Sequence, residues 1–482
     1  MNRLSRAIKP FPKRPIKVVQ FGEGNFLRAF VDPFIQTINE KGLFDGNVAV
    51  IQPMPFGRVK ELEQQDGLYT LILEGLENGK VVHESKIVDV ISAFIDPYQE
   101  YKAFLELATS TDITTVISNT TEAGIAYLNE EVNFTATPVS FPGKLLAFLR
   151  MRFETFAGDM GKGLDIIACE LIDDNGQTLK RVLIELARSN QMSETFIHWM
   201  TTANRFYNTL VDRIVPGYPK EDAAKLEVEW GYLDHSIVKG EIFHLWVIEG
   251  EKGLNERLPF DAAGLNVYFV DYLKPYKERK VKILNGSHTA MVPVAYLAGI
   301  DTVKESVNDP LVGKFIRNYI WDEIIPTIDL PKADMDLFAN AVLERYLNPF
   351  VRHELMSIAL NSMSKYKSRI LPSVLERLST KAFPKLALFS LAALIVFYKG
   401  ERGNEKINLK DDQHFLDLYQ SLWATNDSDY VVKEILGLSH WETARLISED
   451  VLTYVQKQVK SILENNMEVA LTKLLEDTDG QH

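Results

Sequence analysis

The sequence predicts an α/β domain followed by a mostly α-helical one, and three observations carry that prediction. Short apolar or β-branched runs alternate with helical stretches over roughly the first half of the chain. A glycine-rich turn joins the first strand to the first helix. After Lys274 strand signals nearly vanish, and long amphipathic stretches broken by prolines follow. The expected division is residues 1–273 and 274–482. A length of 482 residues suits two or three cores better than one.

The first element is a strand over 16–21, followed by Phe21-Gly22-Glu23-Gly24-Asn25-Phe26-Leu27-Arg28-Ala29 and an amphipathic helix over 26–38. In such a strand-turn-helix Gly22 permits the tight turn. Gly24 lets the backbone approach a pyrophosphate, which the helix N-terminus holds. This reads as the opening of a Rossmann-like dinucleotide-binding domain, although Leu27 replaces the third glycine of the usual fingerprint. The expected contact set is Val18, Val19, Gln20 and Phe21 from the strand, Gly22, Glu23 and Gly24 from the turn, and Asn25, Phe26, Leu27, Arg28 and Ala29 from the helix. A second strand, Val48-Ala49-Val50-Ile51-Gln52, ends in an amide where such domains carry an acid for the adenosine ribose. Arg58 follows shortly and is able to meet a 2′-phosphate, so the residues alone leave NAD and NADP both open.

Residues 70–76 and 81–88 flank Glu77-Asn78-Gly79-Lys80 and read as a hairpin inserted in the sheet. A strand over 114–118 runs into the polar loop Asn119-Thr120-Thr121-Glu122-Ala123-Gly124, the kind of strand end where open α/β sheets bind ligands. Glu122 is a candidate contact there. Another buried strand spans 165–170, and helical periodicity runs from 179 to about 210. In the second half helices are expected over 281–297, 311–325, 335–346, 352–364, 386–398 and 451–475.

The first of these follows Lys280-Val281-Lys282-Ile283-Leu284-Asn285-Gly286-Ser287-His288. At about 100° per residue, His288 falls roughly 80° from Lys280 and 60° from Asn285, so the three share one side of a helix. A lysine works as general acid/base where burial or a nearby cation lowers its proton affinity, and Arg279 and Lys282 are candidate cations. An asparagine amide donates to a developing oxyanion, and a histidine orients a hydroxyl or carbonyl. The motif stands near the domain boundary, where a ligand cleft is expected.

Composition narrows the class. Apolar residues make up 46% and charged residues 25%, the profile of a globular protein. A net charge of -13 argues against nucleic acid or an anionic membrane as partner. Cys169 is the single cysteine, so no internal disulfide forms and a reducing compartment is expected. The Cys and His residues lack metal-ligand spacing. The basic, proline-containing first residues lack the apolar core of a signal peptide, and the apolar run at 386–398 is too short to span a bilayer. A cytoplasmic protein with no obligatory protein partner is the expectation.

Taken together, Gly22, Gly24 and Arg28, in a Gly-x-Gly-x-x-x-Arg turn, and Lys280, Asn285 and His288, in a Lys-x4-Asn-x2-His signature, resemble the long-chain mannitol dehydrogenase family of polyol and sugar-acid oxidoreductases. Val211-Asp212-Arg213-Ile214 and Trp246-Val247-Ile248-Glu249 look like two further family blocks, and the similarity covers nearly the whole chain. The resemblance implies NAD as cofactor, a metal-independent reaction, and reversible reduction of a keto sugar acid to an aldonate with Lys280 as general acid/base. One departure is Leu171, where mannitol-oxidising members often carry an asparagine as second oxyanion donor. A sugar acid also needs a cation for its carboxylate. Arg345, Arg352, His353 and Lys365 are candidates, with Lys365 favoured because it resembles the family's substrate-side position. Asp212 and Arg213 read as a structural ion pair. The rivals are a relative acting on another sugar acid or on a polyol, and a non-catalytic dinucleotide sensor.

Overall fold

The computed structural model describes residues 1–121 and 123–479. The chain divides into two compact units: Met1–Glu77 with Val81–Leu273, and Asn78–Lys80 with the residues from Lys274 onward.

The first unit is built on one eight-stranded sheet. Its strands are β1 (Ile16–Phe21), β2 (Asn47–Ile51), β3 (Ile91–Ile95), β4 (Thr115–Ser118), β5 (Asp165–Ala168), β6 (Arg205–Asp212), β7 (Leu245–Glu249) and β8 (Val267–Val270). The spatial order is β8-β7-β6-β5-β4-β1-β2-β3. Strands β1 to β6 are mutually parallel. Strand β7 runs antiparallel to β6, and β8 runs parallel to β7. The order 3-2-1-4-5-6 is that of a Rossmann fold, with its switch point between β1 and β4. Both sheet faces are buried. Val19, Phe21, Val116 and Ile166 pack on one side, and Val18, Ile117 and Ile167 on the other, the period-2 alternation of a strand.

Three sequence expectations change here. The hairpin Tyr69–Glu77 and Lys80–Val88 is not inserted in this sheet. It forms a separate three-stranded sheet with Val238–Glu241, which pairs parallel to Tyr69–Glu77. That partner lies far downstream, so no local pattern announces it. The helical run expected to 210 ends earlier: helices cover Asn175–Ser189 and Glu194–Thr202, and β6 begins at Arg205. Within β6, Phe206 faces one core while Tyr207 and Val211 face the other, so the period is 2 rather than 3.6. The first helix is two pieces, Asn25–Ala29 and Val31–Glu40, separated at Phe30 with φ -129° and ψ -72°.

In the second unit, helix Lys385–Phe397 is buried on every side from Leu386 to Phe397, as an all-apolar helix requires. Gly286–Leu297 and Glu449–Asn465 pack against it. Glu323 accepts the backbone N–H groups of Leu386 and Ala387, both at 2.8 Å, and so closes the N-terminal end of the buried helix. Two expected helices are interrupted. The run 451–475 breaks at Asn466 (φ 73°) into Glu449–Asn465 and Met467–Asp479. The run 352–364 is helical over Leu355–Ile358 and again from Ser362, where helix Ser362–Arg369 starts after Asn361 at φ 54°. Among the described residues, no helix is long and apolar enough to cross a membrane.

Candidate active site

The glycine turn is shaped by backbone contacts. Gly22 has φ 118°, and a Cβ there would stand 2.8 Å from the carbonyl oxygen of Asn119, just past β4. Only glycine lets the ends of β1 and β4 approach this closely. At Gly24 an added Cβ would meet nothing within 4 Å. The fold itself does not demand glycine there, and the open space fits a phosphate approaching the backbone.

Most of the side chains expected to touch a cofactor are turned into the protein instead. Val18, Val19, Phe21, Leu27 and Ala29 are buried core residues. Phe26 stacks on Phe30 at 4.9 Å. Buried Gln20 donates to the Gly22 carbonyl at 3.1 Å. Arg28 is 1% exposed and donates to the carbonyls of Glu23 (3.1 Å) and Ser236 (2.5 Å) and to Asn25 Oδ1 (2.7 Å). It is a buried clamp beneath the turn. Arg213 acts similarly: it donates to the carbonyls of Ala29, Ile242 and Phe243, which replaces the expected ion pair with Asp212 by a backbone tie.

Glu23 is buried as well, beside the end of β2. Its Oε1 accepts the Arg58 N–H at 3.2 Å, and burial raises its carboxyl above the usual range. A Cβ on Gly57 would lie 2.1 Å from Glu23 Oε1 and 2.6 Å from Gln52 Oε1, so the two side chains are neighbours. A carboxylate therefore stands beside the end of β2, contributed by the turn after β1. The side chain of Arg58 points to Glu61 and the His235 carbonyl.

At the end of β4, the buried Glu170 carboxylate holds the following loop. It accepts from Thr120 N and Oγ1 and from Ser118 Oγ, all at 3.1 Å. Leu171 is 65% exposed. Glu122 lies outside the described residues.

In the second unit Lys280–Asn285 forms a π-helical segment that continues into the α-helix Gly286–Leu297. This changes the geometry expected from an α-helix. Five α-helical steps would leave Lys280 and Asn285 about 140° apart. The wider i→i+5 turn brings them closer to one line along the axis. Such segments recur at functional sites. Lys280 and His288 are half-buried.

The surroundings of His288 are cationic. Its ring stacks on Tyr346 at 4.1 Å and meets His353 edge-on at 5.2 Å. Tyr346 Oη donates to the Leu284 carbonyl at 2.7 Å and lies in hydrogen-bond contact with Ser287 Oγ at 2.8 Å, which fixes the stack. Burial, and then the positive charges of His353, Arg345, Arg369 and Lys365, hold His288 well below the usual histidine range. It is therefore a neutral imidazole, and its buried Nε2 has no hydrogen-bond partner among the described residues. Lys365 is half-buried with Nζ on the Ile358 carbonyl at 2.7 Å, and burial followed by Arg369 lowers its pKa. Of the expected candidates, the structure brings His353, Lys365 and Arg345 to this place. Arg352 pairs with Glu354 at the surface instead. Of the sequence neighbours, Arg279 lies over the Tyr276 and Phe338 rings, and Lys282 donates to the Thr327 carbonyl at 2.7 Å. Arg369 was not expected. It donates to Thr289 Oγ1 at 3.2 Å, and only the folded chain reveals that contact.

Two family models match this architecture, the mannitol dehydrogenase Rossmann domain over residues 16–262 and the mannitol dehydrogenase C-terminal domain over residues 272–463. The chain belongs to the mannitol dehydrogenase family. It is accordingly an oxidoreductase acting on CH–OH groups. Relatives in this family include an altronate oxidoreductase of Enterobacter sp. (strain 638), 44% identical over 98% of this chain and 100% of its own length. A protein of the same name from Klebsiella pneumoniae (strain 342) is also 44% identical, with the same coverage. Among solved structures of the mannitol dehydrogenase fold, a substrate-free D-sorbitol dehydrogenase superposes with TM-score 0.81 at 22% identity, covering 97% of this chain and 100% of that one. The Pseudomonas fluorescens mannitol 2-dehydrogenase, solved with NAD and D-mannitol, gives 0.63 at 22% identity over 96% and 95%. These two likenesses concern the fold.

Proposed function

We propose that this chain catalyses the reversible, NAD-dependent reduction of D-tagaturonate to D-altronate, a step of hexuronate (galacturonate) catabolism. The observation that carries this reading is the cationic surround of His288, which suits a substrate bearing a carboxylate and has no purpose for a neutral polyol. The full-length similarity to proteins named altronate oxidoreductase supports it.

The unit ending at Leu273 binds the dinucleotide on the Gly22–Gly24 turn, and the unit from Lys274 supplies the proton donor. Bound NADH supplies the hydride for the carbonyl carbon. The Lys280 ammonium gives its proton to the forming alkoxide oxygen, and in the oxidative direction the neutral amine takes it back. Asn285 donates to that oxygen and polarises the carbonyl. Neutral His288 presents Nε2 to a substrate hydroxyl or carbonyl, which settles an otherwise orphaned buried atom. Glu23 supports NAD over NADP. Ribose hydroxyls donate to a carboxylate, whereas a 2′-phosphate beside it is repelled.

The test is loss of reduced-nicotinamide absorbance with D-tagaturonate, run beside fructuronate and fructose, with NADPH replacing NADH as control. Rapid turnover with NADH and tagaturonate alone is expected. Preference for fructuronate moves the assignment to mannonate, preference for fructose moves it to a polyol, and NADH binding without turnover favours a sensor.

A further inference from the structure

Resting on that sugar-acid reading, we propose that Arg369 is the receptor for the substrate's terminal carboxylate and thereby sets the preference for a sugar acid over an uncharged sugar.

Arg369 ends helix Ser362–Arg369, and its NH1 donates at 3.2 Å to Thr289 Oγ1. Thr289 directly follows His288 and is itself tied to the motif, donating to the Asn285 carbonyl at 2.9 Å. The guanidinium is therefore hung on the same helix that carries the proposed proton donor and the oxyanion donor. The backbone of Arg369 is equally close: a Cβ on Gly286 would lie 3.3 Å from its carbonyl oxygen.

What marks this arginine is the lack of an acid. It is half-buried, and burial lowers its pKa, with Tyr346 opposing that shift. Among the described residues no carboxylate pairs with it. A guanidinium carries five donors in a planar fork, and one of them meets the Thr289 hydroxyl. Withdrawing a cation from water without a counter-charge is costly, and chains keep such an arrangement where a ligand completes it. Lys365 stands one helical turn earlier on the same face, yet Asp411 partly balances its charge. Arg369 has no such balance. The charges of Arg345, Arg369 and Lys365 all act on His288, so the local field favours an anion.

The ligand chemistry follows. A planar fork matches a carboxylate through two parallel hydrogen bonds. The orphaned His288 Nε2 requires a hydroxyl or carbonyl nearby. A keto sugar acid carries both groups on one short carbon chain. A polyol satisfies the histidine and leaves the guanidinium uncompensated.

The experiment compares Arg369→Met and Arg369→Lys with the native chain on D-tagaturonate and on D-tagatose, which bears a primary alcohol in place of the carboxylate. KM and kcat are read separately, and NADH affinity is measured by fluorescence titration. In Arg369→Met the ratio of kcat/KM for tagaturonate over tagatose is expected to fall on the order of 10- to 100-fold, as for loss of a charge-assisted hydrogen bond. The loss should sit in KM, and Arg369→Lys should recover part of it. Should tagatose turnover be too slow to read, the rise in tagaturonate KM at nearly constant kcat decides alone. Equal losses on both substrates, or a fall in kcat at constant KM, overturn the proposal and leave Arg369 as a packing tie to Thr289. A native chain that reduces tagatose as readily as tagaturonate overturns the sugar-acid reading itself, and Arg369 as carboxylate receptor with it.

Discussion

The glycine turn after β1 and the helix after Lys280 are built in opposite ways. At the turn most side chains face inward, and the surface left for a ligand is largely backbone. Around His288 the backbone is regular helix or π-turn, and everything distinctive is side chain: three cations, two histidines and an orphaned ring nitrogen. A site for a shared cofactor depends on close approach, which substitutions rarely improve. A site for a particular substrate depends on charge, which single substitutions readily change.

The largest expected effect tests the second region. Lys280→Ala should lower kcat by about 10³-fold while the NADH dissociation constant from fluorescence titration stays put. A loss below ten-fold would remove this lysine from proton transfer.

Next comes the support beneath that region. Burial raises the Glu323 carboxyl to about 7, above its unfolded value. Its contribution to stability is therefore fully present below pH 4.5 or so and is lost as pH rises through about 7. Glu323→Gln removes that titration. Chemical denaturation at pH 5 and pH 8 should show the variant gaining on the native chain by up to about 3 kcal/mol. A gap that is flat with pH would mean that the buried carboxyl does not titrate there.

The two glycines sharpen the contrast within the first region. Gly22→Ala places a Cβ against Asn119 in a left-handed conformation and should cost about 1–3 kcal/mol of stability. Gly24→Ala should leave the melting temperature nearly unchanged and weaken NADH binding, because only the ligand needs that space. Equal melting losses in both would refute a ligand-imposed glycine at Gly24.

The smallest effect concerns cofactor choice. Glu23→Gln should raise kcat/KM with NADPH relative to NADH by roughly ten-fold. An unmoved ratio would return the choice to Arg58 or to another group.

Much of this was legible in the sequence because it is local. The strand, the glycine pair and the apolar helix after it are contiguous, and so are Lys280, Asn285 and His288. What escaped was non-local or periodic at the wrong scale. Arg369 meets Thr289 from another helix, and Val238–Glu241 claims the hairpin from far downstream. Lys282 is adjacent to the motif in sequence, whereas folding turns its ammonium to the Thr327 carbonyl. The alternation in β6 was hidden because a helical stretch runs directly into it.

The π-segment at Lys280–Asn285 carries a consequence of its own. A π-turn holds one residue more than the α-turn it widens, so the helix contains a surplus residue between its lysine and its asparagine. Deleting a single residue from Val281–Leu284 should let the helix close as ordinary α while the buried face downstream of Gly286 keeps its register. Lysine and asparagine would then stand four α-steps apart, about 40° around the axis, and lysine and histidine about 20° apart, so the three would stay on one face. A chain one codon shorter should therefore keep the three side chains on one face, and its turnover beside that of the native chain reads what the surplus residue adds.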